Sequence, residues 1–533
     1  MIYEDSRPDW FIADQGTIRP IAAAPGIQHF GWNADRAPLF RIHRSHLPLI
    51  DTDEAARWIA DLRDRYKDLD ENRWDARDVQ TAPLGFKLKT VQHQAVDFIR
   101  ARRGTLLGDE MRVGKTLTAA FSHEPEMGKL VVIAPLIARE VWLGWLRRIW
   151  PDTEIGIMVG KAYDPEQARK PIVFGHYDII THWQNGDPIG TLILDEGHVL
   201  TNSTSYRSTA ATLLANRAER AIVCTGTPIW NMPVGKKRGS GLWAVLGLIA
   251  PGAFGGFHDF ARRYAAPQST AYGTVYTGLS NGDELTARLS EVMIRRRWID
   301  VQQDLPPITR SVAIVDLTPK QRRELDIAAQ NLRESDRTST AAELARYRDA
   351  LSIVKLPATV AVAEKSLTNG EPVVIWTWHR DTADALLQLL GAGGFEVYAM
   401  TGDTAQHRRE MIMAQWKQHK AAALIVTMAV GQVGIDLSHS HQPIFAEIDW
   451  TPAMISQAEM RTFHPSRAMN VTYVVADHFV DRKIVDALVR KFESASPIDL
   501  STGEAAIASI NSAFRGVEDP GDMDRFMADL LAG

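Results

Sequence analysis

The stretch that most constrains this chain runs from Leu106 to Ala120 and reads LLGDEMRVGKTLTAA. A short apolar run leads into Gly-Asp-Glu-Met-Arg-Val-Gly-Lys-Thr, and an alanine-rich helical pattern follows. A strand that ends in such a loop before a helix turns backbone N–H groups and the helix N-terminus toward an anion. The pattern predicts a phosphate-binding loop in which Gly114 admits the phosphates, Lys115 neutralises their oxygens and the Thr116 hydroxyl binds Mg²⁺.

The loop departs from the GxxxxGK[ST] pattern at its first position, where Asp109 replaces glycine. Gly-Lys-Thr at a helix start is also typical of ordinary helix capping, so the loop alone leaves both interpretations open. The residues farther along the chain favour the phosphate site.

Length and composition limit the protein class. A chain of 533 residues is too long for one core, and two large domains with smaller additions are expected. The single cysteine, Cys224, excludes an internal disulfide and a cysteine-based zinc site, and it suits a reducing compartment. The start, MIYEDSRPDW, does not resemble a signal peptide, and no apolar run reaches membrane-span length. We expect a cytoplasmic protein, in a bacterium or in the host cytosol of a virus.

The net charge of −5 is distributed unevenly along the chain. Residues 1–84 carry −4, residues 494–533 carry −5, and the central 85–493 carry +4. Basic clusters within the centre are Arg147-Arg148, Lys236-Lys237-Arg238, Arg262-Arg263 and Arg295-Arg296-Arg297. Local positive charge permits contact with a nucleic-acid backbone, although each cluster by itself is typical of a solvated surface.

Residues 1–84 have the pattern of a small, separate α+β accessory module. FGWNADRAPLFRIHR predicts two short strands around a polar turn, and DEAARWIADLRDRYKDL has the apolar spacing of a helix. The module contains the tryptophans Trp10, Trp32, Trp58 and Trp74. Packing of a small core is the favoured role for them, and a stacking surface for bases is the alternative. A protein partner is also a candidate, and the module's role stays open.

From residue 85 the pattern becomes the strand–helix alternation of a parallel α/β sheet. Strand candidates of a first series are LVVIAPLIA (130–138), PIVFGHYDII (171–180), TLILDE (191–196) and AIVCTG (221–226). Those of a second series are RSVAIVDL, EPVVIWTWH, FEVYAMTG, AALIVTM, PIFAEID and VTYVVA. We predict a first α/β lobe over 85–310 and a second over 311–493. Charged helical insertions at 231–300 and 318–368 should protrude from them, and an acidic tail should cover 494–533.

Two further motifs lie where strands of the first series end. Asp195 and Glu196 follow TLIL about eighty residues after Lys115. Asp195 would bind Mg²⁺ and Glu196 would orient and deprotonate an attacking water, although Asp-Glu at a strand end can also be helix capping. After the next strand, Thr225-Gly226-Thr227-Pro228 provides hydroxyls that can couple this site to a neighbouring domain, or is simply a turn.

The ordered motifs over residues 85–493 resemble superfamily-two helicases and, more narrowly, the Swi/Snf family of double-stranded DNA translocases. Those of the first lobe are LKTVQHQAVDFI, DEMRVGKT, APLIAREVWLGW, DEGH and TGTPIWN. MIRRRWIDVQQDLPP (293–307) is similar to the family's junction between lobes. TMAVGQVGIDLSHSH and QAEMRTFHPSR follow in the second lobe. The wording around IFAEIDWTP is similar to the annealing-helicase (HARP-like) branch.

The resemblance implies two RecA-like lobes, ATP and Mg²⁺ in the cleft between them, and duplex or branched DNA across both. It implies catalytic roles for Lys115, Asp195, Glu196 and Arg461, and Mg²⁺ ligation by Thr116 and Asp195. The implied nucleotide contacts are Gln92, Met111, Arg112, Val113, Gly114, Lys115, Thr116, Leu117, Gly434, Asp436 and Arg461. The implied nucleic-acid contacts are Arg139, Thr227, Thr427 and Gly431.

Two departures from the family pattern concern the phosphates. Arg112 stands where the family has a small glycine, and we expect its side chain to point away from them. In the last motif Arg461 keeps the first arginine position, but His464 replaces the second, which usually contacts the transferred phosphoryl group. If the helix continued, His464 and Arg467 would lie near the face of Arg461, although Pro465 disturbs that geometry. We predict that Arg461 makes the contact.

The favoured function is ATP-dependent translocation on duplex or branched DNA, which remodels or anneals rather than unwinds. The first alternative is a strand-separating DNA or RNA helicase, and the second is a nucleotide-regulated nucleic-acid scaffold with weak or no hydrolysis. Intact Lys115, Asp195 and Glu196 disfavour the scaffold, whereas His464 keeps it open.

Overall fold

The computed structural model describes residues 2–34, 37–67, 88–158, 160, 162–183, 186–228, 234, 241–270, 273–276, 278–301, 306–334, 340–431, 435–448, 452–478 and 481. They form two compact units, of which the first ends at Val301. Each unit contains a parallel sheet with flanking helices, and the first also carries a small antiparallel sheet. The predicted fold class is thereby confirmed. The predictions for the acidic tail lie outside the described residues.

The chain begins with a four-stranded antiparallel sheet in the order β1-β2-β4-β3. Its strands are β1 (Ile2–Glu4), β2 (Trp10–Asp14), β3 (Gln28–Trp32) and β4 (Pro38–His43). The two strands predicted around a polar turn are β3 and β4, and the predicted helix spans Asp53–Lys67. Trp10 is buried and Trp58 packs against the small core, whereas Trp32 is exposed and Trp74 lies outside the described residues.

This N-terminal sheet is joined to the rest of the first unit by buried ion pairs. Arg44 contacts Asp9 at 2.8 Å and Glu291 at 3.2 Å, although 247 residues separate Arg44 from Glu291. Asp9 also accepts a hydrogen bond from the Arg103 backbone N–H at 3.0 Å. Charges buried in this way require their partners, because an unpaired buried charge is strongly destabilising. The module is thus part of the first unit rather than a separate body.

The first lobe is built on a seven-stranded sheet whose paired strands are all parallel. Its order is β13-β5-β10-β9-β6-β8-β7. The strands are β5 (Gly104–Leu107), β6 (Leu130–Ile133), β7 (Ile155–Met158), β8 (Ile172–Gly175), β9 (Ile189–Leu194), β10 (Ala218–Cys224) and β13 (Met293–Ile294). Continuous apolar segments such as LVVI form strands here because helices cover both faces of a parallel sheet.

The helices of the first unit are α1 (Gln15–Ile18), α2 (Asp53–Lys67), α3 (Thr90–Arg100), α4 (Lys115–Phe121), α5 (Arg139–Ile149), α6 (Pro165–Ala168), α7 (Tyr206–Arg217), α8 (Leu242–Ile249), α9 (Phe257–Tyr264), α10 (Gly282–Leu289) and α11 (Trp298–Val301). Single 3₁₀ turns are Arg19–Ile21, Arg44–Leu49, Pro125–Met127, Leu136–Ala138, Ile180–His182 and Gly197–Leu200.

The insertion predicted at 231–300 is largely helical, but it differs from the prediction of a charged protrusion in two ways. Helix α8 packs against strands β5 and β10, and its apolar residues are buried almost throughout. The segment also contains the antiparallel hairpin β11 (Pro267–Thr270) and β12 (Gly273–Tyr276), and strand β13 pairs with β5. Its end is therefore part of the central sheet.

The second unit is built on a six-stranded parallel sheet in the order β14-β19-β18-β15-β17-β16. Its strands are β14 (Ile308–Val315), β15 (Val373–Thr377), β16 (Glu396–Met400), β17 (Ala422–Thr427), β18 (Gln442–Phe445) and β19 (Met469–Ala476). All six correspond to the predicted second series. The predicted lobe boundary at residue 310 falls inside β14, which pairs with β19 along its whole length, so the second sheet begins earlier than predicted.

The helices of the second unit are α12 (Pro319–Glu334), α13 (Thr340–Thr368), α14 (Arg380–Ala392), α15 (Gln406–Gln418), α16 (Met428–Gly431) and α17 (Pro452–Thr462). The insertion predicted at 318–368 is helical, but α13 does not merely protrude, because Ala363 and Leu367 belong to the core of the sheet. Among the described residues, no helix combines the length and apolar character that crossing a membrane requires.

Candidate active site

Three neighbouring strands of the first lobe bring the predicted residues to one edge of the sheet. Strand β10 lies between β5 and β9, and Cys224 pairs with Leu107 while Val223 pairs with Leu194. Because the strands are parallel and end at the same level, the segments that follow them are adjacent. These segments are the phosphate loop after β5, Thr225–Thr227 after β10, and Asp195–Glu196 after β9.

The phosphate loop requires glycine at position 114. Gly114 has a left-handed φ of 109°, and a Cβ at this position would lie 2.2 Å from Nε2 of Gln92. The Gln92 side chain is buried, and its Oε1 accepts a hydrogen bond from the Lys89 backbone N–H at 2.9 Å. Gln92, predicted to contact the nucleotide, is therefore packed directly against the loop.

Arg112 occupies a backbone position that favours glycine. Its φ of 66° lies in the left-handed region, which costs an L-residue about 1 kcal/mol or more. The family's glycine at this position is explained by the backbone. Its neighbours Met111 and Val113 are buried, and Leu117 packs beside Leu88.

Lys115 begins helix α4 and points its ammonium group into the loop. Its Nζ donates hydrogen bonds to the backbone carbonyls of Asp109 at 2.8 Å and Glu110 at 3.1 Å. Burial lowers the pKa of Lys115, although the charges of Glu196, Asp109 and Asp195 oppose that shift. Thr116 is the next residue of the helix and is half-buried.

The structure explains why Asp109 replaces the first glycine of the loop. The Asp109 carboxylate is fully buried and forms a two-pronged ion pair with the Arg296 guanidinium. Oδ1 of Asp109 also accepts a hydrogen bond from the Arg296 backbone N–H at 3.0 Å. The interpretation of Arg295-Arg296-Arg297 as a solvated basic cluster is wrong for Arg296, which is buried.

Residues 293–298, here called the 293–298 segment, hold the phosphate loop at further points. Glu110 accepts a hydrogen bond from the Trp298 backbone N–H at 2.7 Å, and Trp298 Nε1 donates to the Met111 carbonyl at 2.9 Å. Arg295 donates to the Gly108 carbonyl at 2.6 Å. The Lys89 ammonium group lies 5.6 Å from the centre of the Trp298 ring. The phosphate loop, the 293–298 segment and the start of helix α3, which carries Gln92, are thus joined by hydrogen bonds and by this cation–ring contact.

Asp195 lies at the end of β9 with hydrogen bonds on both carboxylate oxygens. Oδ2 accepts from Trp142 Nε1 at 2.8 Å, and Oδ1 accepts from the Glu196 backbone N–H at 2.9 Å. The Tyr177 hydroxyl donates to the Asp195 carbonyl at 2.5 Å. Burial, followed by the charge of Glu196, raises the pKa of Asp195 to about 6, while Lys115 opposes the rise.

Glu196 is held in an uncommon backbone conformation, with φ 51°. Its Oε2 lies 3.3 Å from Nδ1 of His198. A left-handed residue directly after the strand redirects the chain, and such strain concentrates at functional positions. Adjacent carboxylates can thus take different roles, with Asp195 fixed by N–H donors and Glu196 beside an imidazole.

The two nucleic-acid residues predicted in this lobe lie on different elements. Thr227 is buried, and its backbone N–H donates to the Thr225 hydroxyl at 3.2 Å. Gly226, between them, is close to Lys115, because a Cβ there would lie 3.6 Å from the lysine Nζ. Arg139 is the first residue of α5, is partly exposed, and donates from Nε to Glu140 at 2.8 Å.

In the second unit, the predicted residues follow strand β17. Thr427 is its last residue and pairs in register with Thr377 of β15. Both hydroxyls are buried and find no hydrogen-bond partner within the described parts of the chain. Gly431 ends the short helix α16, and Gly434 lies outside the described residues. Asp436 is exposed and accepts hydrogen bonds from the Ser438 backbone and hydroxyl at 3.0 and 2.7 Å.

Arg461 lies in the last turn of α17 and is buried. Its carbonyl accepts a hydrogen bond from the Leu437 N–H at 3.0 Å, which connects this helix to the segment after β17. The helix does not continue to His464, because α17 ends at Thr462 and His464 pairs with Arg467 across a turn. His464 Nδ1 accepts from the Ser466 hydroxyl at 2.8 Å. His464 and Arg467 therefore do not continue the face that carries Arg461.

Comparison with protein families adds an independent observation. The SNF2-related domain matches residues 52–357, more than half of the chain, and the Helicase conserved C-terminal domain matches residues 355–465. The chain belongs to the SNF2-related family. The two matches together cover both parallel sheets of this SNF2-related protein except the last strand, β19.

Curated relatives of this SNF2-related chain are distant. The SWI/SNF-related matrix-associated actin-dependent regulator of chromatin subfamily A-like protein 1 of Xenopus tropicalis is 25% identical over 459 residues, covering 83% of this chain and 47% of the relative. The human DNA annealing helicase and endonuclease ZRANB3 is 24% identical over 439 residues, covering 76% and 40%. The chain thus spans about half the length of the curated relatives it matches. Among solved structures, the Sulfolobus solfataricus SWI2/SNF2 ATPase core in complex with dsDNA is 18% identical, covers 79% of this chain and 94% of that one, and has a TM-score of 0.36.

Several residues at the site of this SNF2-related protein were not predicted from the sequence. Trp142, Tyr177 and His198 surround the two carboxylates, and Arg296 and Trp298 hold the phosphate loop. The sequence could have indicated some of them. Trp142 belongs to the same motif as Arg139, and Arg296 and Trp298 belong to MIRRRW, which is similar to the family's junction between lobes. Their partners are distant in sequence, and only the fold brings them together.

Proposed function

We propose that this chain is an ATP-dependent DNA translocase that remodels or anneals duplex or branched DNA rather than unwinding it. One observation carries the proposal. Lys115 in a phosphate loop and the Asp195–Glu196 pair lie on nearby strand ends of one sheet, in a chain of the SNF2-related family. A phosphate-binding cation beside two carboxylates of different environment is the arrangement that nucleotide hydrolysis requires.

Three residues would have different roles toward the nucleotide. Lys115 would exchange the carbonyls of Asp109 and Glu110 for phosphate oxygens, which bind an ammonium group more strongly because they are charged. Glu196 would orient the attacking water and accept its proton. From the second unit, Arg461 would stabilise the charge that develops on the transferred group.

Mg²⁺ fits the donors that this site offers. Among the described residues, no three histidine, cysteine, aspartate or glutamate side chains are arranged to bind a metal ion by themselves. Mg²⁺ at phosphate sites needs only one or two protein oxygens, since water and phosphate complete its shell. Thr116 and Asp195 would supply those oxygens, and the ion would neutralise phosphate charge.

DNA is the proposed polymer because the matched human relative is named a DNA annealing helicase. Arg139, Thr227, Thr427 and Gly431 would contact its backbone. We also propose a cytoplasmic location, which the single, buried thiol of Cys224 supports because it needs no oxidising compartment.

The test measures ATP hydrolysis by the full chain alone and with duplex DNA, single-stranded DNA and RNA. Duplex DNA should stimulate the rate most, and the stimulation should weaken steeply as salt rises from 50 to 200 mM, because phosphate contacts release counterions. Lys115→Ala is the inactive control. Equal stimulation by RNA would favour the strand-separating helicase, and binding of DNA without hydrolysis would favour the scaffold.

A further inference from the structure

Helix α5 links a partly exposed residue to one of the two adjacent carboxylates of the site. It begins at Arg139 and carries Trp142, whose indole is 1% exposed. Trp142 Nε1 donates a hydrogen bond to Oδ2 of Asp195 at 2.8 Å. We propose that Trp142 is a positioning residue that transmits DNA binding at Arg139 to the metal-binding carboxylate of Asp195. This inference rests on the proposed function.

The environment of Asp195 shows why the indole matters. Its two carboxylate oxygens accept from the Trp142 ring and the Glu196 backbone N–H, and its backbone carbonyl accepts from the Tyr177 hydroxyl; all three donors are neutral. Neutral donors orient a carboxylate without cancelling the charge that it needs for a cation. Groups that orient a metal ligand in this way typically change metal affinity or activity by about 10- to 100-fold when they are removed.

Of these donors, only Trp142 lies on the helix that begins at Arg139. The other two follow strands β8 and β9 at the edge of the sheet. The rest of the Trp142 ring packs in the apolar core with Leu143 and Leu146, so the indole moves with the helix. The core contact makes the N–H a rigid extension of α5.

The start of this helix and the turn before it are partly exposed to solvent. Val141 is 51% exposed, and the preceding Leu136 is 49% exposed. Trp142 lies three positions after Arg139, or about 4.5 Å along the helix axis. The Arg139 Nε donates to the exposed Glu140 carboxylate at 2.8 Å, and a DNA phosphate would replace that contact. A phosphate that draws the first turn outward moves the indole N–H relative to Asp195.

The decisive variant is Trp142→Phe, which keeps the ring in the core and removes only the N–H donor. Its matched control is Trp243→Phe, because Trp243 donates from Nε1 to the Gly255 carbonyl at 3.1 Å in the same unit. ADP binding is titrated with Mg²⁺, and hydrolysis is measured with and without duplex DNA. We expect the Mg²⁺ concentration at half-saturation to rise about tenfold or more in Trp142→Phe only. We also expect a loss of most DNA stimulation.

A second measurement does not depend on the folding of Trp142→Phe. Coupling is reciprocal, so duplex DNA should lower the Mg²⁺ concentration needed for ADP binding by the parent chain. Arg139→Ala should abolish this DNA effect. Absence of the effect in the parent would overturn the proposal.

The remaining outcomes separate this inference from the proposed function. Unchanged Mg²⁺ dependence and DNA stimulation in Trp142→Phe would overturn the inference while leaving the translocase intact. An equal loss in Trp243→Phe would assign the effect to packing and overturn it as well. Failure of the parent to hydrolyse ATP with any polymer would instead contradict the proposed function, and the Mg²⁺ titration of ADP binding would still test whether Trp142 positions Asp195.

Discussion

At the scale of single residues, Lys115 and Glu196 show how one sheet edge supports two roles. The Lys115 ammonium donates to loop carbonyls and can bind phosphates before and during the reaction. Glu196 has a left-handed backbone and a partner in His198 at 3.3 Å. A base acts only on the attacking water, so its removal should affect turnover rather than binding.

We therefore expect Glu196→Gln to bind ATP with Mg²⁺ like the parent and to hydrolyse it at least about a hundredfold more slowly. Lys115→Ala should lose nucleotide affinity itself. Binding of a fluorescent ATP analogue and the steady-state rate separate the two effects. Glu219→Gln, an exposed carboxylate early in β10, is the matched control for loss of charge. A parent-like rate in Glu196→Gln would exclude Glu196 as the base.

Arg461 and His464 give a second prediction at this scale. Arg461 is buried in α17, whereas His464 lies in the following turn and accepts a hydrogen bond from Ser466. An arginine that meets the transferred phosphoryl group is worth about a thousandfold or more in kcat. Arg461→Ala should lose that factor, and His464→Ala and Arg467→Ala should lose tenfold or less, in DNA-stimulated kcat at saturating ATP. Arg461→Lys keeps the charge without the planar fork and should fall between them.

A larger loss in His464→Ala than in Arg461→Ala would reverse this assignment. Thermal unfolding of each variant accompanies the kinetics, because truncation of a buried arginine can also destabilise the helix. A kcat loss in Arg461→Lys at parent-like stability would specifically support a role for the planar fork.

At the scale of elements, the phosphate loop is shaped by the 293–298 segment rather than by its own sequence alone. Strand β13 extends the sheet beside β5, and the residues after it contact the loop through Arg296 and Trp298. The chain leaves the first unit only three residues after Trp298. A loop held in this way has a defined shape before the nucleotide binds, which lowers the entropic cost of binding.

Arg296→Lys tests this arrangement, because lysine keeps the charge but cannot contact Asp109 with two prongs. A hydrogen bond to a charged group contributes about 1.5–3 kcal/mol, and we expect about a tenfold weaker affinity for ADP. The control is Arg220→Lys, whose buried guanidinium contacts Glu124 at 2.9 Å and which lies near the start of β10, at the end of the strand away from the loop. Isothermal titration should show weaker binding in the first variant only. Equal affinities in both would mean that the ion pair merely stabilises the fold.

At the scale of the whole molecule, the N-terminal sheet and the first lobe share a set of buried charged and imidazole groups. His43 lies near Asp9, Arg44 and two further arginines. Nε2 of His46 lies 3.1 Å from the guanidinium of Arg288. Burial is the main cause that lowers the pKa of His43 to about 3, and the arginines lower it further while Asp9 opposes them. Burial also lowers the pKa of His46 well below its usual value.

These histidines make the stability of the unit depend on pH in a defined direction. Above pH 6.5 His43 is neutral whether the chain is folded or unfolded, so it has no effect. As the pH falls from 6.5 toward 3, only the unfolded chain takes up the proton, and the free energy of unfolding falls by up to about 1.4 kcal/mol per pH unit.

His43→Asn should remove this dependence, because asparagine can still accept the Ser45 backbone N–H that Nδ1 of His43 accepts at 3.2 Å. Between pH 7.0 and 5.5 the parent should lose about 1 kcal/mol more stability than the variant. For a unit of this size, that corresponds to a fall in Tm larger by about 2 °C. Calorimetry at the two pH values measures it, and an identical fall in both proteins would contradict the buried, neutral state of His43.

The sequence by itself determined the two parallel α/β lobes, the phosphate loop and the two carboxylates. Strands such as LVVI and TLIL are continuous apolar runs. Asp195 and Glu196 directly follow a strand, and Lys115 begins the helix after the loop that follows β5, so their positions depend on local chain order. The residues that support them depend on distant pairings. Asp109 contacts Arg296 across 187 residues of sequence, Arg44 contacts Glu291 across 247, and Trp142 contacts Asp195 across 53.

Only the tertiary structure decided three further features. Helix α8 covers the sheet instead of protruding, because its apolar residues on all sides exclude a solvated position. The helix of Arg461 stops at Thr462 and turns His464 away, as the proline that follows disfavours a further helical turn. Arg296, which belongs to a cluster interpreted as a solvated surface, is buried because the carboxylate of Asp109 pairs with it across 187 residues of sequence. The periodicity of a sequence predicts which face of a helix or strand a residue occupies. It does not predict which distant side chain contacts that residue, and the site depends on such contacts between distant residues.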